Sequence, residues 1–303
     1  MIRNWRVYPG LLMLLLLSQT KASAWHETGH KVVTCITYRE LPPDARKKTV
    51  ELLRHHPYFS QWKREFPGGR ANSDFGLYLL ARASVWPDEI GGSGSPFEHP
   101  SWHYINYPLR PPGFEMQPGP AHGETILWAI ERCQSILGDK GASTVTRAVH
   151  LSWLIHLIGA LHQPLHCSNL INERFPEGDR GGNLFFVRAD ENAMTLHAFW
   201  DGLLSQEQDT RKVLNLATRV RSEYPRSRLS ELKADSVKTW SLEGRDLAVE
   251  QVYLHGKLPG SDRPEDAPPL PHSYAASAKA VAKRRIALAG YRLSDLIRVL
   301  VQR

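Results

Sequence analysis

"HLIGALHQPLH", residues 156–166, sets three histidines among leucines, an isoleucine, a glycine, an alanine and a proline. Leu157, Ile158, Leu161 and Leu165 continue the apolar periodicity of residues 145–158, so the stretch reads as the end of a core helix. Pro164 has no amide hydrogen, which stops the helix after His162 and puts His166 on the following turn, free to point elsewhere. Clustered imidazoles fit both polar residues satisfied inside a core and ligands, and the rest of the chain has to decide between them.

Working outward, helical periodicity dominates. It runs through residues 32–36, 50–53, 77–81, 126–136 and 247–253, and through a C-terminal stripe of Ile286, Ala289, Leu293, Leu296, Ile297 and Leu300. The best strand-like run is "NLFFVRA", 183–189, in which Val187 breaks the alternation. Loops rich in glycine and proline fall at 91–100, 108–120, 176–183 and 258–272, and there is no repeat or low-complexity tract. The expectation is one all-α, multi-helix domain with long loops, over residues 25–303.

Residues 1–24 read as a signal peptide: Arg3 and Arg6, an apolar run at 11–17, then "KASAW" with small residues at Ala22 and Ala24. Cleavage after Ala24 makes Trp25 the first residue and the product secreted or periplasmic. No later stretch approaches the roughly twenty apolar residues of a membrane anchor. The 38 basic and 31 acidic residues give a net charge of +7, and three of the positive charges (Arg3, Arg6, Lys21) belong to the leader. The remaining mild excess tolerates a polyanion without calling for one. Cys35, Cys133 and Cys167 allow one disulfide and a thiol, or three thiols, and exclude a disulfide scaffold.

Several carboxylates and imidazoles have ligand spacing. "LHAFWD" puts His197 and Asp201 four apart, on one face of a helix. "SVWPD" ends an apolar helix on Asp88, and "WHYIN" holds His103 between aromatics. "WHETGH" begins at the expected cleavage point, so the amino group and carbonyl of Trp25 can chelate a metal beside His30. This nitrogen and oxygen donor set, without cysteine, is of the zinc type.

In this order the motifs resemble the zinc-dependent single-strand nucleases of fungi, plants and bacteria, the S-one/P-one family, whose fold is related to bacterial zinc phospholipase C. The resemblance rests on Trp25, Gly29 and His30, "SVWPD", "WHYIN", the 156–166 stretch, "GGN" at 181–183 and "LHAFWD", with "WSLEGRDLAVEQVY" (240–253) and "ALAGYRLSDLI" (287–297) near the end. It implies up to three Zn2+ ions. One is held by Asp88, His103 and His156, the catalytic site for a bound hydroxide. A second is held by His166, His197 and Asp201, and a third by Trp25 and His30. The family's aspartate bridging the first and third ions falls at Ala160, which weakens the third site. An arginine that many relatives carry three residues after the aspartate of "SVWPD" is Gly91 here, in a flexible glycine-serine run.

Tyr104 falls where relatives stack a nucleobase, a position that core packing would explain equally well, and Asn106 falls near a base-edge contact. The resemblance implies a secreted phosphodiesterase of endonuclease or 3′-nucleotidase type, acting as a monomer on single-stranded RNA or DNA and leaving 5′-phosphates. The alternatives are a phospholipase-C-like lipid phosphodiesterase and a catalytically impaired zinc- or nucleic-acid-binding homologue. His26, His55, His56, His99, His122, His150, His255 and His272 read as ordinary surface or core polar residues, and His162 as scaffold, with partial compensation for Ala160 by His162 or Glu27 as the alternative.

Overall fold

The structure, a computed structural model, describes residues 25–68, 74–110, 123–204 and 209–302. The expected signal peptide, His122 and most of the 108–120 loop lie outside the described residues. Ten α-helices are described: α1 Glu27–Glu40, α2 Pro43–Leu53, α3 Phe59–Glu65, α4 Phe75–Glu89, α5 Ile126–Gly138, α6 Thr144–Leu161, α7 Leu196–Asp201, α8 Thr210–Glu223, α9 Val237–Leu247 and α10 Tyr274–Leu300. The fold is all-α.

Helix α6 is the axis of the core. Ser143 caps it by accepting from the Thr146 amide, and it ends where sequence reading placed the end, with Gln163 extended before Pro164. It is apolar on all sides, buried between α4, α5 and α10. Its 18 residues and mean hydropathy of 1.2 would let it cross a membrane by length and composition, but 72% of that window is inside the fold. The expectation that no later stretch approaches an anchor is therefore corrected: α6 does, and its burial makes it a core helix.

Helix α1 lies against α10, α4 and α8. Backbone groups meet closely there: a Cβ at Gly290 would come 2.6 Å from the Ile36 side chain. All three cysteines are buried and unpaired, which settles the open pairing in favour of three thiols.

Two small β elements position the site. β1 (Pro108–Leu109) pairs parallel with β2 (Asn169–Leu170), and β3 (Phe186–Ala189) pairs antiparallel with β4 (Asn192–Thr195). The sequence run at 183–189 therefore yields a strand only from Phe186. β4 gave no apolar alternation to read, because its residues are exposed or half-buried. Beneath this hairpin lies a second apolar cluster containing Leu165, Phe185, Val187, Trp200 and Tyr253.

Candidate metal centre

Four histidines reach one region from four different elements, and each is oriented in the same way. His156, on α6, directs Nδ1 at the Ser84 carbonyl, 2.9 Å away, in the turn of α4 where Pro87 interrupts the donor ladder. His103 ends a 3-10 turn (Pro100–His103) and directs Nδ1 at the Pro100 carbonyl at 3.1 Å. His166, in the turn after Pro164, directs Nδ1 at the His103 carbonyl at 2.6 Å. His197, in α7, directs Nδ1 at the Gly181 carbonyl at 2.7 Å.

A carbonyl only accepts, so each Nδ1 carries the proton and each Nε2 presents a lone pair. All four Nε2 atoms are buried without a hydrogen-bond partner. Burial holds His156 neutral, pushing it down to about 3, and places His166 well below the usual imidazole range. Neutral imidazoles with bare, buried nitrogens are costly in an apolar core and suited to a cation.

The carboxylates meet these nitrogens. Asp88 Oδ1 lies 3.5 Å from His103 Nε2 and 3.6 Å from His156 Nε2. His197 Nε2 lies 3.4 Å from Asp201 Oδ2, one helical turn apart. Burial raises Asp201 to about 6, against the pull of His197 and Gln163. Two sets of donor atoms lie within 4.8 Å of one another: His30, Asp88 and His156, and His166, His197 and Asp201. The second is the set expected from sequence. In the first, His30 stands with Asp88 and His156, stacked on the His156 ring at 4.3 Å, while His103 reaches the same carboxylate from its own turn.

Trp25 is buried and ties the chain start to α6, its Nε1 donating to the Gly159 carbonyl at 3.0 Å. A Cβ at Gly159 would stand 2.8 Å from His30 Nδ1, so glycine is what admits the His30 ring. Ala160, the next residue, is wholly buried and brings no charge. The two proposed substitutes for its carboxylate are engaged elsewhere. His162 Nδ1 donates to the Ile158 carbonyl and its Nε2 accepts from Arg292 at 3.0 Å, while Glu27 pairs with Lys31. The glycine-serine run after Asp88, expected to be flexible, is a turn organised by Glu98, whose carboxylate accepts from the Gly92 amide at 2.6 Å and the Gly94 amide at 3.2 Å.

The scaffold around the site contains residues that spacing did not reveal. Segments 103–109 and 166–171 run side by side, with Ile105 N donating to His166 O and Asn169 N to Tyr107 O, and this ribbon brings His103 beside His166. Gln163 donates to Asp201 Oδ1 at 2.8 Å. Asp179, fully buried, accepts from Leu170 N and the Tyr253 hydroxyl and so anchors the loop whose Gly181 carbonyl holds His197. Gly181 has φ +61, and a Cβ there would meet the Leu165 carbonyl at 2.5 Å. The adjacency of Gln163 to Pro164, and the double glycine two residues after Asp179, were the available signal.

The S1/P1 Nuclease family model matches residues 25–302, nearly everything described above. The chain belongs to the S1/P1 nuclease family. Its similarity to named members is distant but long. It is 25% identical to Nuclease P1 of Penicillium citrinum, over 90% of this chain and 96% of that protein, and 23% identical to Endonuclease 1 of Arabidopsis thaliana, over 94% and 90%. With Nuclease S1 of Aspergillus oryzae it shares 27% identity over 42% of each chain. As an S1/P1 nuclease it has an N/O donor set that fits zinc: five buried imidazoles, two carboxylates and no thiol among them. In this S1/P1 member Tyr104 is 39% exposed and Asn106 is exposed, so core packing does not explain Tyr104.

Proposed function

We propose that this protein is a secreted or periplasmic zinc phosphodiesterase that cleaves single-stranded RNA or DNA to products with 5′-phosphates. The observation that carries the reading is the four buried imidazoles, each with Nδ1 spent on a carbonyl and Nε2 bare, converging on Asp88 and Asp201.

Asp88, His103, His156 and His30 would hold zinc on one side of the site, with Trp25 adding main-chain donors once the leader is removed, and His166, His197 and Asp201 on the other. Bound zinc supplies a nucleophilic water at neutral pH and neutralises the phosphate. The protein's own part is orientation. The carbonyls of Ser84, Pro100, His103 and Gly181 fix four rings, and Gln163 leaves Asp201 Oδ2 free to face the centre. Tyr104 offers an exposed ring for a base, which supports a nucleic acid over a lipid headgroup. The uncharged positions Gly91 and Ala160 support a second reading, a member with weakened activity.

The test uses protein starting at Trp25. Metal analysis is expected to find at least two zinc ions, and hydrolysis of single-stranded oligonucleotides is expected to be abolished by EDTA and restored by zinc. A liposome assay run beside it separates the lipid alternative. Hydrolysis that persists in EDTA, or none at all with zinc bound, overturns the nuclease reading.

A further inference from the structure

A cavity of about 250 Å3 lies beside the metal centre. Its walls include Phe97 and His99 from the loop after α4, Trp102 from the 3-10 turn, and Val145, His150 and Trp153 from α6. Trp153 joins the cavity to the metal centre, its ring centroid lying 5.3 Å from that of His103 and 6.2 Å from that of His156. Val145, 46% exposed, stands where the cavity meets solvent.

The walls are held in place. Trp102 donates its Nε1 to Glu124 at 2.9 Å, His99 lies flat on Trp102 at 3.8 Å, and Trp153 meets Trp102 edge-on at 4.9 Å. Among the described residues no Asp, Glu, Lys or Arg side chain lines the cavity. Two imidazoles do, and each keeps a nitrogen unspent. The His99 ring makes no hydrogen bond among the described residues, and His150 spends only Nδ1, on the Thr146 carbonyl at 2.8 Å, which leaves Nε2 an acceptor. Burial lowers both from the ordinary imidazole value, so both are neutral at pH 7. An anion would find no cation here, and an acyl chain would leave the imidazole nitrogens facing hydrocarbon. Aromatic walls with polar edges suit a planar heterocycle, which stacks on its faces and hydrogen-bonds at its rim. The volume is below the roughly 300 Å3 at which sites for drug-sized ligands begin, and so fits one base without its sugar and phosphate.

We propose that this cavity is a second base subsite, taking the nucleobase of a nucleotide that flanks the phosphate held at the metal centre. This deepens the nuclease reading above and rests on it. Trp102 and Tyr104 flank His103 in the chain, so the cavity and the exposed Tyr104 ring give two base contacts around one metal-centre histidine. A single strand can splay its bases into both, whereas a duplex holds its bases stacked and paired, so the cavity adds to the preference for single strands. The contact acts on bound substrate and transition state alike, and its loss shows in KM more than in kcat.

The experiment compares zinc-loaded wild type, Val145→Trp and His99→Phe, all starting at Trp25. Val145→Trp fills the mouth of the cavity, and His99→Phe keeps a ring on Trp102 but removes the polar edge. Adenosine, and indole as a ring without a base edge, are titrated while the Trp102 indole N–H resonance is followed by NMR, and KM is measured on a single-stranded oligonucleotide. Adenosine is expected to shift the Trp102 resonance of the wild type. Its affinity should fall about tenfold in Val145→Trp and less in His99→Phe, with KM rising about tenfold in Val145→Trp, as loss of one stacked base implies. Zinc content checks the fold of each variant, and His99→Phe carries the test should Val145→Trp lose its zinc. No shift with adenosine, or unchanged affinity and KM in the variants, overturns the proposal, and so does a cavity that takes indole as tightly as adenosine. If the wild type hydrolyses no single strand, the nuclease reading fails by itself, and the adenosine titration still decides the cavity.

Discussion

Gln163 donates its side-chain amide to Asp201 Oδ1 at 2.8 Å, bridging the turn after α6 and the end of α7. Its own oxygen accepts from the Leu165 amide at 2.6 Å, so the amide cannot rotate without losing both bonds. Gln163→Ala is expected to leave the fold in place and weaken zinc binding at His166, His197 and Asp201 about 10- to 100-fold, as loss of an orienting partner typically does. A competition titration against a chelator of known affinity reads this directly. Unchanged affinity would show that α7 alone orients the carboxylate.

Ala160 is buried beside Gly159, which carries Trp25 and admits His30. Ala160→Asp is expected to raise both zinc content and the rate of single-strand hydrolysis, because a carboxylate there adds negative charge where His30 and His156 already gather. The same metal content and rate in the variant would sink this account of the site.

Gly159→Ala tests the neighbouring position. The new methyl would stand 2.8 Å from His30 Nδ1, so the ring must move off His156. The expected cost is about 1–3 kcal/mol of stability together with loss of zinc from the His30 group, followed by urea unfolding and metal analysis. Full metal content in a stable variant would contradict the packing described.

Among the described residues, Glu243 is the one carboxylate that bridges two buried arginines. It accepts from Arg285 at 2.6 Å and from Arg292 at 2.6 and 2.7 Å, and both arginines are 2% exposed. Arg285 also holds the His162 carbonyl, and Arg292 its ring, so the network fixes the end of α6. Glu243→Gln is expected to cost about 3–5 kcal/mol, since it leaves two buried cations uncompensated. Asp266→Asn, breaking the exposed Arg263–Asp266 pair, should cost under about 1 kcal/mol. Equal denaturation midpoints for the two variants would refute the distinction.

Stability should depend on pH through buried histidines that stand outside the two candidate metal groups. His56, stacked on Trp62 at 4.4 Å, is pushed down to about 3 by burial. Its stabilising contribution is complete above the unfolded value of about 6.5 and is lost as pH falls toward 3, because only the unfolded chain takes up the proton in that window. The slope is at most about 1.4 kcal/mol per pH unit for each such group. Urea midpoints of metal-free protein between pH 7.5 and 5 should fall accordingly, and less steeply in His56→Phe. A flat profile would mean that His56 is solvated.

The residues that the structure gathers into the two candidate groups were legible because they lie on local patterns: His197 and Asp201 one turn apart, Asp88 at a proline-marked helix end, and His156 and His166 on either side of Pro164. The supports were not, because they are long-range. Gln163 meets Asp201 across 38 residues, and Arg285 meets the His162 carbonyl across 123. No periodicity encodes such a contact. The β1–β2 ribbon is two residues long on each side, too short to leave an alternation.

The three unpaired cysteines give the fold an indifference to its redox surroundings. Cys35, Cys133 and Cys167 are sealed in the core, and burial pushes the first and last up to about 12 and Cys133 upward as well. At neutral pH none presents a thiolate for exchange, and no cross-link exists to be reduced. The protein should therefore melt at the same temperature with or without dithiothreitol, and reach the same folded state in a reducing host cell as in an oxidising medium.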